Sequence, residues 1–249
     1  MSHGHNALFR NNFADYLDKV LIDNISWFRT LPSITPQNVM DGTKGGLFDL
    51  VGSGIKRAQL QIATGPIQGD VAIGAYWCPQ TTAYNPAGWV DLPKHNPAHM
   101  FMFTPAMEGC ALVVTDSPVA NHYRVFHHQH PDHGISLTPD THNSHLTTGI
   151  GSFAGNMNKL RGTMDIWANI RGQGTILSIL EYADYGVEGA NGNTTNAFNF
   201  LAYRNATWMY VTQGQTLANV VDSSGAARSV EVSRRPVQGR NGISIRSVC

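Results

Sequence analysis

Cysteine is scarce in this chain, and so is charge. Only Cys78, Cys110 and Cys249 occur. So odd and sparse a set excludes a disulfide framework, and without a C-x-x-C pair it offers neither a zinc knuckle nor dithiol redox chemistry. The composition therefore points to a reducing compartment. Lysine plus arginine and aspartate plus glutamate each number 17, so the formal net charge is zero. Nonspecific phosphate binding needs a basic excess, and nucleic acid is not expected as a partner. Long hydrophobic runs are missing too: no stretch of about 18 apolar residues occurs, so neither a membrane-spanning helix nor a membrane partner is expected. Residues 1–20 lack an apolar core followed by a small-residue cleavage site. A secreted or injected form would then leave its cell without a cleavable signal peptide.

What is present fits a folded domain. The 249 residues are 42% hydrophobic and 14% charged, far from the composition of a disordered chain. No internal repeat, low-complexity linker or shift in composition marks a boundary, so a single domain over 1–249 is expected. Phe9, Phe13, Tyr16, Leu17, Val20, Leu21, Ile25 and Phe28 recur at helical spacing. They predict an amphipathic helix over roughly 10–30, capped by Asn11 or Asn12 and stopped before Pro32. Beyond residue 58 the pattern changes to short β-rich runs punctuated by Gly, Pro, Asn and Asp. The runs are 59–63, 71–77, 99–104, 111–115, 122–128, 164–170, 175–182, 197–203, 207–212 and 229–233. Many strands with few helices predict an α+β fold on a twisted or sandwiched sheet. The glycine-rich stretch 42–57 lacks the terminal Gly-Lys-Ser/Thr of a phosphate loop and is expected to be a flexible loop.

Chemistry concentrates between Phe103 and His128, FTPAMEGCALVVTDSPVANHYRVFHH. A strand ends near Thr104, Cys110 opens the run CALVV, and residues 116–120 turn the chain back into HYRVFHH. A thiolate is a strong nucleophile, and a nearby imidazole can take its proton. His122, at the start of the return strand, is the candidate base for Cys110. Gly109 lets the backbone turn closely, so main-chain N–H groups can face a reacting carbonyl. Such a pair also needs a third group to fix the imidazole ring.

The order Thr104, Gly109–Cys110, His122 resembles the catalytic segment of the bacterial glutamine deamidases. These are the cytotoxic necrotizing factors, the chemotaxis-receptor deamidase and the Burkholderia lethal factor. The Thr-to-Cys and Cys-to-His steps look most like the lethal factor, and Met107 stands where the superfamily usually has Leu. The resemblance implies a β-sandwich of mostly antiparallel strands flanked by helices. It also implies that Cys110 attacks a glutamine carboxamide, His122 activates the thiol and protonates the leaving ammonia, and Thr104 orients the ring. It implies no metal and no other cofactor. The expected partner is a host protein with a reactive glutamine, with a translation-initiation helicase and a Rho-family GTPase both open. The implied role is that of a bacterial toxin or effector acting in the host cytosol.

Two other classes compete. His122, His127, His128, His130, His133, His142 and His145 fall close together. His122 and His128 on one strand face, with His130 or His133, would make a metal-dependent hydrolase or metal-binding protein. The aromatics of residues 75–93 and the Gly- and Asn-rich run 189–199 would suit a carbohydrate-binding β-sandwich module. Cys78, in YWCPQ, is expected to be structural.

Overall fold

The computed structural model describes residues 4–24, 45–54, 56–63, 70–79, 88–107, 110–128, 167–185, 194–221, 227–233 and 243–248. Among these the helices are α1 (His5–Asn11), α2 (Phe13–Lys19) and α3 (Tyr182–Tyr185). A further helical stretch covers 167–173. The strands are β1 (Leu21–Asp23), β2 (Gly46–Gly54), β3 (Arg57–Ile62), β4 (Ile73–Trp77), β5 (Gly88–Pro93), β6 (Phe101–Phe103) and β7 (Ala111–Asp116). They continue with β8 (His122–His128), β9 (Ile176–Leu180), β10 (Thr194–Arg204), β11 (Thr207–Val221), β12 (Ala227–Ser233) and β13 (Ile243–Ser247).

Two sheets result. The larger runs β1-β3-β2-β4-β6-β10-β11-β12, with β13 also on β11, and the smaller runs β5-β8-β7-β9. Pairing is antiparallel except at β1–β3 and β4–β6. Among the described residues the chain is mostly β with short helices, which agrees with an α+β class.

Alternation along the strands divides the core. On the larger sheet Trp77, Phe101, Phe103, Phe200 and Val211 join Phe9, Phe13, Tyr16 and Leu17 of α1 and α2. The intervening residues Tyr76, Met102, Leu201, Tyr203 and Tyr210 pack instead with Val90, Leu92, Leu112, Val114 and Val125 of the smaller sheet. Ala111, Val113 and Phe126 turn the other way, toward Trp167 and Ile170. A period of two, read on each strand, therefore separates three apolar clusters. Hydrogen bonds cross between the sheets as well: Trp208 Nε1 donates to the Pro93 carbonyl at 2.8 Å.

The N-terminal expectation needs correcting. A single helix over 10–30 does not form, because the backbone at Asn12 leaves the helical region (φ −152°) and splits it in two. Asn12 then serves as the N-cap of α2, its side chain accepting from the Asp15 N–H at 3.3 Å. Beyond Lys19 the chain is strand, held by the buried side chain of Gln213. Its Nε2 donates to the carbonyls of Leu17 (2.7 Å) and Val20 (2.8 Å), and its Oε1 accepts from Ile22 N–H at 2.9 Å. The long-range partner thus satisfies helix-end carbonyls and starts β1 together.

Two more expectations fail locally. Residues 46–54 are not a loop but β2, paired antiparallel with β3 and β4. Phe48 and Leu50 are fully buried there, and Asn6 of α1 clasps the strand by accepting from Leu50 N–H and donating to Asp49, both at 2.8 Å. Residues 167–170, expected as strand, are helical.

Candidate functional site

The β7–β8 hairpin carries the candidate residues, and its register decides which of them meet. Asp116 pairs with Tyr123 beside the turn and Ala111 with His128 at the far end. Each step from the turn on one strand is matched by one on the other. Cys110 therefore lies just past the Ala111–His128 pair, while His122 lies at the turn. At roughly 3.3 Å per residue the two ends are about 20 Å apart. The faces differ as well: Cys110 shares an apolar cluster with Leu112, Val114 and Val125, whereas His122 has the parity of Arg124 and Phe126. His122 instead places Nδ1 against the Ala120 carbonyl at 2.8 Å, within the turn. The expected Cys110–His122 pair is not assembled.

Thr104 does meet an imidazole, but that of His127. Its Oγ1 lies 2.5 Å from His127 Nδ1 and donates to the Cys78 carbonyl at 2.9 Å. Its own carbonyl accepts from Asn24 Nδ2 at 3.4 Å. Thr104, His127 and Cys78 are fully buried, and Cys110 is 2% exposed. His127 pairs with Leu112 across the hairpin, so its parity is that of Val125 and Tyr123 and of the face holding Cys110. On that face Cys110 is the diagonal neighbour of His127, a relation that puts Cβ atoms within about 8 Å. The signal for His127 was present in the sequence: once the turn is fixed at 117–121, odd-numbered residues of β8 share the face of Cys110. Gly109 lies outside the described residues.

Cys78 is structural in its surroundings. Its backbone N–H donates to the Phe103 carbonyl at 2.8 Å, and its Sγ lies 3.4 Å from the Val125 carbonyl. Burial pushes its thiol well above the ordinary value, and a hydrogen bond with the His127 backbone opposes that only in part. Tyr185 closes the other side, its hydroxyl donating to the Cys110 carbonyl at 2.5 Å.

The opposite face of the smaller sheet carries a charged network. Arg124 grips Asp91 with two bonds, Nε to Oδ1 and Nη2 to Oδ2, both 2.8 Å. Ser117 Oγ donates to Asp91 Oδ1 at 2.8 Å, and Arg124 Nη1 reaches Gln173 Oε1 at 2.5 Å. The guanidinium also stacks on Trp89, 3.7 Å from the ring centre. Beside the turn, Lys94 pairs with Asp116 at 2.9 Å.

The histidine cluster does not assemble among the described residues. His122 and His128 share a face but stand at opposite ends of β8, too far apart for one ion, and the His128 ring packs tilted against Trp167 at 4.7 Å between ring centres. His130, His133, His142 and His145 lie outside the described residues. Among those described, no three His, Cys, Asp or Glu side chains are placed to hold a metal ion. The described aromatics at 75–93 are mainly core: Tyr76 and Trp77 are buried, and Trp89 is covered by Arg124, while Tyr84 lies outside the described residues.

One family model matches the chain. It describes the Mcf1 activator-binding domain and covers residues 69–135. The match is to a part of the chain. It takes in β4 to β8, and with them Cys78, Asp91, Thr104, Cys110, Arg124 and His127. No curated protein matches the chain.

Proposed function

We propose that this chain is a protein-binding module that docks a protein activator through residues 69–135. The likeness of that segment to the Mcf1 activator-binding domain carries the reading. The burial of Cys110 and Thr104 supports it, because a thiol that is 2% exposed presents no open cleft to a protein substrate. We read the two sheets as the layers of a β-sandwich flanked by helices, a rigid frame from which turns recognise a partner. Val71, Met100 and Val119 are exposed apolar side chains within the matched segment, while Leu8 and Leu177 are exposed outside it. Affinity capture from a eukaryotic lysate, read by mass spectrometry, tests the reading. A captured protein should be lost from the Val71→Glu/Met100→Glu/Val119→Lys variant and kept by Leu8→Glu/Leu177→Glu. Equal capture by both variants would refute the assignment to this segment.

A second reading keeps the thiol. In it the chain is a protein-glutamine deamidase of a bacterial toxin or effector, acting on a host protein at Cys110. Its support is the contact between Thr104 and an imidazole on the Cys110 face, although that imidazole is not His122. Deamidation raises a glutamine peptide by about one mass unit, which the same lysate experiment reads by comparing wild type with Cys110→Ser.

A further inference from the structure

We infer that His127 is the base that serves the Cys110 thiol, held in its working tautomer by Thr104 and the Cys78 carbonyl. The inference rests on the second reading above and names a base that the sequence pattern had assigned to His122. A hydroxyl has one proton to give. Thr104 Oγ1 gives its proton to the Cys78 carbonyl at 2.9 Å, so at the 2.5 Å contact Nδ1 of His127 is the donor and Oγ1 the acceptor. A neutral imidazole with its proton on Nδ1 carries the lone pair on Nε2, the state that a general base needs. Asn24, donating to the Thr104 carbonyl, holds the backbone of the same relay. The arrangement is the nucleophile–base–orienter order, with a hydroxyl and a carbonyl in place of a carboxylate.

The step balances with water alone. Nε2 takes the Sγ proton, and the thiolate forms a C–S bond to the carboxamide carbon. The C–N bond then breaks, and ammonia leaves with the proton from Nε2. Water adds to the thioester, giving one proton to Nε2, and that proton returns to sulfur as the C–S bond breaks. The net change is amide plus water to carboxylate plus ammonium. His127 and Cys110 are buried, so reagents reach them through opening of the packed face.

The test is the pH dependence of Cys110 alkylation by iodoacetamide in the full chain, with each cysteine read separately by peptide mass spectrometry. An imidazole partner lowers the apparent thiol midpoint below its ordinary value of about 8.5. In wild type the Cys110 midpoint should lie at least about one pH unit below that value. It should move up to about 8.5 in His127→Asn and part of the way in Thr104→Val, and stay low in Thr104→Ser and His122→Ala. A merely structural role of His127 would change the rate at every pH and leave the midpoint in place. An unchanged midpoint in His127→Asn, with Cys110 still reactive, overturns the base while leaving the thiol reading intact. No alkylation of Cys110 in wild type, under conditions that label it after unfolding, overturns both.

Discussion

Removing the carboxylate of Asp91 should be among the most damaging single changes in the smaller sheet. Asp91 and Arg124 are 8% and 9% exposed at their side chains, and two 2.8 Å bonds join them. In Asp91→Ala the guanidinium stays buried with Gln173 and the Trp89 ring beside it, and neither carries a compensating charge. Breaking a buried pair from one side costs roughly 3–5 kcal/mol, because a charge is left without compensation. Total stabilities run about 5–15 kcal/mol, so this is a large share. At about 2–4 °C per kcal/mol for a chain of this size, Tm should fall by roughly 6–20 °C. The double variant Asp91→Leu/Arg124→Met removes both charges, and such replacements are often neutral or better. It should recover most of the loss. Urea unfolding followed by tryptophan fluorescence, run as a double-mutant cycle, measures both values. A loss below about 1 kcal/mol in Asp91→Ala, or a double variant as unstable as the single losses added together, would refute the reasoning.

Stability should fall in alkaline solution, and Cys78 should account for the first part of the fall. Burial holds its thiol up in the folded chain, while in the unfolded chain it titrates near ~8.5. Above that pH the unfolded state has lost a proton that the folded state keeps, so unfolding becomes easier by up to ~1.4 kcal/mol per pH unit. Tyr16, raised by burial and then by the charge of Asp70, adds its slope only above ~10, and Cys78→Ala should flatten the earlier slope alone in pH-dependent urea unfolding. Gly88→Ala should lower Tm, since a Cβ there would fall on the Pro79 carbonyl and force β5 away at a cost of about 1–3 kcal/mol. Asn12→Ala should cost about 1 kcal/mol in the same unfolding assay by removing the α2 cap, whereas a single unbroken helix through that position would be stabilised by the change.

Local pattern made much of the β framework legible. β8 matches its expected run at both ends, β4, β6, β7 and β9 to β12 overlap runs that hold β-branched or aromatic residues, and β3 shows instead the alternation Ala58, Leu60, Ile62. The strands outside the expected runs are β1, β2, β5 and β13, and the first two have local reasons. β2 reads as a loop because Gly46, Gly52 and Gly54 dilute it, yet Phe48 and Leu50 bury one face and Asn6 clasps its edge. β1 was hidden because Phe13, Tyr16, Leu17, Val20 and Leu21 do fall at helical spacing. The Gln213 amide that ends the helix comes from 191 residues away or more. Residues 167–170 were too short an apolar run to tell helix from strand.

The candidate residues are legible in the sequence, but their pairing is not. The resemblance assigns Thr104 to the His122 ring, whereas its hydroxyl lies against His127. The hairpin and its turn were also expected where they occur. The spacing from Cys110 to His122 invited a pair, but in a tight hairpin a residue twelve positions on returns to the turn end, not to the start. Strand parity then puts His122 on the face away from Cys110 and His127 on the face that Cys110 shares. Spacing borrowed from a resemblance is thus weaker than the register that the turn imposes.

Hydrogen–deuterium exchange on the full chain, free and with the protein it captures from lysate, is the most direct test of the proposed function. If residues 69–135 are the docking segment, exchange should slow in peptides from that segment. Peptides of α1, α2 and β13 should keep their free rates. Protection confined to residues outside 69–135, or no change with the captured protein bound, would contradict it.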